Sequence, residues 1–137
     1  MSRPLQPGDV VDGRYRIERV LGAGGMGSLF IATQLGFERE VALKVLRPKP
    51  KQDPEAQTRF LLEAKAVCSI QHPNIVTYHD FGTDPDTGAL YLVMELLAGA
   101  SLAEVLKEQA PLPVTRVTHI MMQLCGALAE AHAAGVI

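Results

Sequence analysis

Several common features are scarce in this sequence, and each absence argues against a class of protein. The two cysteines, Cys68 and Cys125, lie far apart in apolar helical patterns, with no Cys or His at metal-ligand spacing. This predicts two buried, reduced thiols rather than a disulfide or a zinc site. The uncharged stretch of the last predicted helix, Val117 to Ala129, is too short to span a bilayer. The first residues lack the apolar stretch of a signal peptide, so we expect a cytoplasmic protein.

Positive charge is not in excess either. Thirteen Lys and Arg against fifteen Asp and Glu give a net charge of −2, which argues against general binding to nucleic acid. The charge is uneven, because residues 1–53 carry nine basic and six acidic side chains, whereas residues 54–137 carry four basic and nine acidic ones. An anionic ligand is therefore expected in the first part of the chain.

Apolar patterns predict strands in the first part of the 137-residue chain and helices in the last. Three short runs that begin at Tyr15, Leu29 and Val41 are separated by turn residues and predict an antiparallel meander. Two more strands are expected at 75–81 and 89–96. This arrangement indicates an α+β sheet domain joined to the start of a helical one.

Local signals place the helices. Asp53 and Pro54 are typical of a helix start. Ser101 and Glu104 have the spacing of a capping box. The last predicted helix has one apolar stripe, which consists of Val114, Val117, Ile120, Met121, Leu124 and Leu128.

Residues 22–27 have the pattern Gly-x-Gly-x-x-Gly, which several folds use to bring backbone N–H groups close to phosphate. In a dinucleotide-binding fold a helix would begin at these glycines, but residues 28–32 are typical of a strand. A P-loop would require Gly-Lys-Ser/Thr, and Ser28 follows Gly27 directly. The remaining interpretation is a hairpin whose glycine loop covers a nucleotide, and it requires a lysine on the next strand.

Lys44 meets this requirement at the centre of the third predicted strand. Strand alternation places Ala42 and Lys44 on one face and Leu43 and Val45 on the other. A buried lysine needs a partner, and the alternative is a side chain that reaches solvent. The functional interpretation gives its ammonium group two partners, nucleotide phosphates and the carboxylate of Glu63. For Glu63, in the first helix, the alternative is a solvated helix face.

Together these residues resemble the protein kinase family, in particular the bacterial-type serine/threonine kinases. The matching segments occur in the family's order at 21–29, 42–44, 59–63, 72–76, 91–97, 99–102 and 130–137. The resemblance implies a kinase N-terminal lobe over 14–94, with a five-stranded antiparallel sheet and one helix. It also implies a lead-in over 1–13, and a hinge with the truncated start of the helical lobe over 95–137.

The resemblance implies roles for individual residues. Lys44 would contact the α- and β-phosphates of ATP and Glu63 would hold it in place, and these are the two expected catalytic residues. Met94 would be the gatekeeper at the back of the pocket, and Glu95 and Leu97 would offer hinge backbone groups to the adenine. The remaining expected contacts are Leu21, Leu29 and Ala42 as adenine walls, and Gly22, Ala23, Gly24, Gly25, Met26 and Gly27 over the phosphates.

The family's His-Arg-Asp loop would begin just after Ile137, so the catalytic aspartate and the Mg²⁺ ligands of a complete domain are absent from these residues. Asp80, Phe81 and Gly82 spell the family's magnesium-binding tripeptide, but they precede the hinge. We interpret them as a coincidence, a strand end that runs into a turn. We therefore expect these residues alone to bind ATP without phosphorylating protein.

Three functions stay open on the sequence. The first is the front part of a serine/threonine kinase, which transfers the ATP γ-phosphate to hydroxyls of an unknown protein substrate. The second is a non-catalytic fragment that binds nucleotide or pairs with another kinase. The third, a phosphotransferase that acts on small molecules, fits residues 59–63 and 72–76 less well. No nucleic-acid or membrane partner is expected, and the apolar stripe of the last helix predicts self-association.

Overall fold

The structure, a computed structural model, describes residues 4–24, 27–46 and 54–137. Its strands are β1 (Val10–Val11), β2 (Tyr15–Gly24), β3 (Gly27–Gln34), β4 (Arg39–Leu46), β5 (Tyr78–Thr83) and β6 (Leu90–Met94). Its helices are α1 (Pro54–Cys68), α2 (Leu102–Gln109) and α3 (Val114–Ala133). The strands form one antiparallel sheet in the order β1-β2-β3-β4-β6-β5.

The sheet confirms the α+β fold class and contains the five predicted strands. It also has a sixth, β1, within the segment interpreted as a lead-in. β1 joins β2 through a tight turn at Asp12 and Gly13, where both φ angles are positive, as an Asp-Gly hairpin turn requires. Val11 is fully buried, so this segment contributes to the core.

One face of the sheet supplies the core, because every second side chain of each strand points to it. Pairing across β3, β4 and β6 brings Phe30 opposite Leu43 and Leu43 opposite Val93. The buried residues of this face are Tyr15, Ile17, Phe30, Ala32, Val41, Leu43, Val45, Tyr91 and Val93. The opposite face of β3, β4 and β6 therefore carries Leu29, Lys44 and Met94.

α1 begins at Pro54 and α2 directly after Ser101, as predicted, whereas Asp53 lies outside the described residues. The helices bury different amounts of surface. α1 packs against β5 and buries Ala64. α2 begins with the predicted capping box of Ser101 and Glu104. In α3 only Ala127 is buried, and most of the predicted apolar stripe is exposed. No helix in the described ranges is long and apolar enough to cross a membrane.

The two cysteines differ in burial. Both thiols are free, as predicted, and Cys68 is half-buried on α1. The prediction that both thiols are buried is wrong for Cys125, which is exposed. Cys125 lies on α3, whose apolar surface is largely uncovered in the described part of the chain.

Candidate nucleotide-binding site

The glycine cluster forms the tip of the β2–β3 hairpin, as predicted. Gly24 pairs with Gly27 at the end of the ladder, and Gly22 pairs with Leu29. Gly25 and Met26, which were predicted to cover the phosphates, lie outside the described residues. Gly27 has a φ of 154°, and a Cβ there would collide with the backbone carbonyl oxygen of Val45. Only glycine lets the hairpin approach β4 this closely.

Lys44 lies one strand away from this hairpin, on the face opposite the core. Its register partners are Leu29 on β3 and Leu92 on β6. Its side chain is exposed, whereas its neighbours Leu43 and Val45 are buried. The predicted alternation of β4 is therefore confirmed, and the ammonium group is free to reach an anion beside the glycine hairpin.

The structure does not bring Lys44 and Glu63 together. Both side chains are exposed, and no ion pair joins them within the described ranges. α1 faces β5 through Ala64, and Glu63 is displaced by about 100° around the helix axis from that contact. The pairing of these two residues stays a prediction, and it requires a shift of α1 or of the side chains.

The expected adenine pocket is partly assembled by the sheet register. Ala42 lies directly opposite Met94 across β4 and β6. Ala42 is buried and Met94 is half-buried. This burial suits their predicted positions, with Ala42 as a wall of the adenine pocket and Met94 at its back. Leu21 lies at the irregularity between Val20 and Gly22 and is 42% exposed.

The segment predicted to be the hinge begins directly after β6. The backbone N–H of Glu95 donates to the carbonyl of Thr77 (2.9 Å), and the N–H of Thr77 donates to the Glu95 carboxylate (2.7 Å). The Glu95 N–H is therefore engaged, and the backbone carbonyl is the group of this residue left for the predicted contact with adenine. Leu97, the other predicted hinge residue, is exposed.

The sequence missed a group of residues that we call the polar cluster, which consists of Asp12, Arg14, Tyr15, Asp80 and Tyr91. The Tyr15 hydroxyl donates to Asp80 (2.6 Å) and the Tyr91 hydroxyl donates to Asp12. Arg14 donates to the Tyr91 oxygen (2.5 Å) and pairs with both carboxylates. β2 and β5 lie near opposite edges of the sheet, so these contacts close a strongly curled sheet.

The contacts of the polar cluster shift the pKa values of its members. Hydrogen bonds from Tyr91 and Arg14 lower the pKa of Asp12. Burial, and a hydrogen bond to a carboxylate, raise the pKa of Tyr15 and of Tyr91 well above the ordinary value of 10.0. Both phenols therefore stay neutral donors. In the sequence, the one local signal near this cluster is the Asp12-Gly13 pair, which is typical of a hairpin turn.

Asp80 belongs to the polar cluster. Tyr15 and Arg14 engage its carboxylate, and its other oxygen accepts from the N–H of Phe81 (2.9 Å). Asp80 to Gly82 lie within β5, which continues to Thr83, so the strand ends two residues later than the predicted end at 81. The part of the chain that the structure describes holds no group of three or more His, Cys, Asp or Glu able to bind a metal. Because Tyr15 and Arg14 already engage the Asp80 carboxylate, the tripeptide at Asp80 does not fit a Mg²⁺ ligand here.

Comparison with known proteins agrees with this geometry. The family model described as protein kinase domain matches residues 15–137. This chain belongs to the protein kinase family. It is 43% identical over 130 residues to the serine/threonine-protein kinase Pkn3 of Myxococcus xanthus, a match that covers 95% of the chain and 24% of Pkn3. It is 40% identical over 125 residues to PrkC of Bacillus subtilis, over 91% of the chain and 19% of PrkC.

Solved kinase structures share the fold. The kinase domain of Mycobacterium tuberculosis PknI superposes with a TM-score of 0.81 and 33% identity, over 96% of this chain and 52% of that domain. The chain thus spans about half of a solved kinase domain and a quarter or less of these two curated relatives. The match to the family model covers β2 to β6 and the helices α1, α2 and α3.

Proposed function

We propose that these residues form the ATP-binding part of a bacterial-type serine/threonine protein kinase, which transfers the γ-phosphate of ATP to protein hydroxyls. The observation that carries the proposal is the register that sets Lys44 beside the glycine hairpin, with Leu29 between them. Because this face is free of the core, a phosphate chain that lies under the hairpin meets the ammonium group. Family membership supports the same chemistry.

Each element contributes a separate interaction to ATP. Backbone N–H groups of the glycine hairpin surround the phosphates, where successive amides favour an anion. Lys44 contacts the α- and β-phosphates. Ala42, Leu29 and Leu21 border the adenine, and Met94 closes the back of the pocket.

Phosphoryl transfer requires groups that these residues do not supply. A carboxylate must lie beside the substrate hydroxyl, and carboxylate and amide ligands must hold Mg²⁺. The one tripeptide that spells such a ligand, at Asp80, is engaged by Tyr15 and Arg14. We therefore expect the 137 residues alone to bind ATP and to leave protein unphosphorylated.

Titration of the chain with ATP tests the binding. Lys44→Met removes the ammonium group and keeps the apolar stem, so we expect a loss of affinity of at least about 10-fold, as for a charge-assisted contact. Lys107→Met, an exposed lysine on α2, is the matched control and should bind like the unaltered chain. Equal affinity in all three proteins would contradict the proposed site, and Lys44-dependent phosphorylation by the unaltered chain would contradict its inactivity.

A further inference from the structure

The hydrogen bonding between β5 and the hinge departs from a regular antiparallel ladder at one pair. Met94 is opposite Tyr78, so the next pair is Glu95 and Thr77. In a regular hydrogen-bonded pair the two residues exchange both backbone bonds. Glu95 donates its N–H to the Thr77 carbonyl (2.9 Å) as expected.

The return bond has a different acceptor. The N–H of Thr77 donates to the Glu95 side-chain carboxylate (2.7 Å) instead of to the Glu95 backbone carbonyl. A carboxylate is a stronger acceptor than a neutral carbonyl, so it takes the N–H that the ladder would otherwise give to the main chain. The Glu95 carbonyl is thereby released from the sheet.

The position of the Thr77 N–H is fixed by the segment that precedes it. The Asn74 side chain donates to Gln123 on α3 (2.8 Å), and the Asn74 N–H donates to Nδ1 of His72 (3.1 Å). The N–H of Ile75 donates to the His72 carbonyl (3.1 Å). These bonds tie the segment before β5 to α3, so the Glu95 side chain meets a donor that is already in place.

We propose that the Glu95 side chain is a specificity-determining positioning group for the nucleotide base. By accepting the Thr77 N–H, it keeps the Glu95 backbone carbonyl available to accept from an exocyclic amino group of a purine. The ligand class that this recognises is a 6-aminopurine nucleotide. The inference rests on the proposed function, since it concerns the base of the same bound nucleotide.

Two substitutions distinguish the effect of the Glu95 carboxylate from that of the backbone carbonyl of the same residue. Glu95→Ala removes the carboxylate, so the backbone carbonyl of residue 95 can rejoin the ladder at Thr77. Glu95→Gln keeps a side-chain oxygen at the same distance but makes it a neutral acceptor, so its effect should lie between those of the unaltered chain and Glu95→Ala. Glu130→Ala, an exposed glutamate on α3, controls for the loss of one negative charge.

Affinities for ATP and for purine riboside triphosphate, which lacks the 6-amino group, distinguish the proposal from a general structural role. We expect Glu95→Ala to weaken ATP binding by about 3- to 10-fold, as for one hydrogen bond. Its affinity for purine riboside triphosphate should change by less than about 2-fold. An equal loss for both nucleotides, or no loss for either, would overturn the proposal.

A second measurement decides the inference without nucleotide. Scalar coupling across a hydrogen bond, from the Thr77 nitrogen to the carbonyl carbon of residue 95, should be absent in the unaltered chain and present in Glu95→Ala. Coupling in the unaltered chain, or no coupling in Glu95→Ala, would contradict the inference that the Glu95 side chain keeps the backbone carbonyl out of the ladder. If the unaltered chain binds neither nucleotide, the proposed function fails and this coupling still tests the carbonyl.

Discussion

The hydroxyl of Tyr91 offers the sharpest test of the polar cluster. Tyr91 is fully buried, and its hydroxyl both donates to Asp12 and accepts from Arg14. Tyr91→Phe removes these two bonds and keeps the ring, including its contact with Tyr15 at 5.8 Å between centroids. The substitution therefore isolates the hydroxyl.

The size of the effect follows from the partners. A hydrogen bond to a charged group contributes about 1.5–3 kcal/mol, but Asp12 keeps its 2.5 Å contact with Arg14 and is 25% exposed, so water partly replaces the lost donor. We expect a loss of about 1.5–2.5 kcal/mol in the free energy of unfolding. At this chain length that corresponds to a decrease in Tm of about 5–10 °C.

Thermal and urea unfolding followed by circular dichroism measure this loss. Tyr78→Phe is the matched control, because Tyr78 is half-buried on β5 and lies outside the polar cluster. We expect its free energy of unfolding to change by less than about 0.5 kcal/mol. If Tyr91→Phe is as stable as this control, the polar cluster does not stabilise the sheet and the reasoning is refuted.

Alkaline pH tests the same hydroxyl independently. The folded-state pKa of Tyr91 is raised above its ordinary value of 10.0 by burial and by the bond to Asp12. The stability from the neutral phenol is thus fully present below pH 10 and falls above it, because only the unfolded chain loses the proton. The slope is about 1.4 kcal/mol per pH unit for each such tyrosine. Above pH 10 the free energy of unfolding of Tyr91→Phe should therefore fall less steeply with pH than that of the unaltered chain, by this amount. An unchanged slope would contradict the raised pKa of Tyr91.

Two further predictions concern other surfaces. Gly82→Ala places a Cβ about 2.7 Å from the Tyr91 hydroxyl oxygen. Because the Tyr91 ring is buried and its hydroxyl is hydrogen-bonded, we expect the free energy of unfolding, measured with urea, to fall by about 1–3 kcal/mol. Unchanged stability would show that the ring can move. The exposed stripe of α3 should cause self-association, which Met121→Glu reduces and the polar-face substitution Thr118→Glu does not. Light scattering checks this, and a monomeric unaltered chain would contradict it.

Strand period and local turn chemistry made much of the fold predictable. The alternation around Lys44 placed its side chain on the correct face, because β4 is flanked by two strands and its period is undisturbed. The capping box at Ser101 and the glycine hairpin are likewise local patterns. Met94 could be placed from the family resemblance, and its register opposite Ala42 agrees with that position.

Contacts between distant parts of the chain could not be predicted in this way. Tyr15 and Asp80 are 65 residues apart, and neither has a neighbour that signals the other. The use of the Glu95 carboxylate in the ladder depends on where Thr77 lies in space. The separation of Lys44 and Glu63 depends on how α1 packs against β5, which the helical pattern of α1 does not determine.

The polar cluster also has a consequence for the order of folding. The β2, β3 and β4 hairpins join residues close in sequence, whereas the bonds of Tyr15 to Asp80 and of Tyr91 to Asp12 span 65 and 79 residues. Closing loops of this length is entropically unfavourable before other contacts hold the ends together. We therefore expect the cluster to form late, so that its loss accelerates unfolding and leaves the folding rate nearly unchanged. On this expectation, the bonds that close the curled sheet set how long the folded chain persists once it has formed.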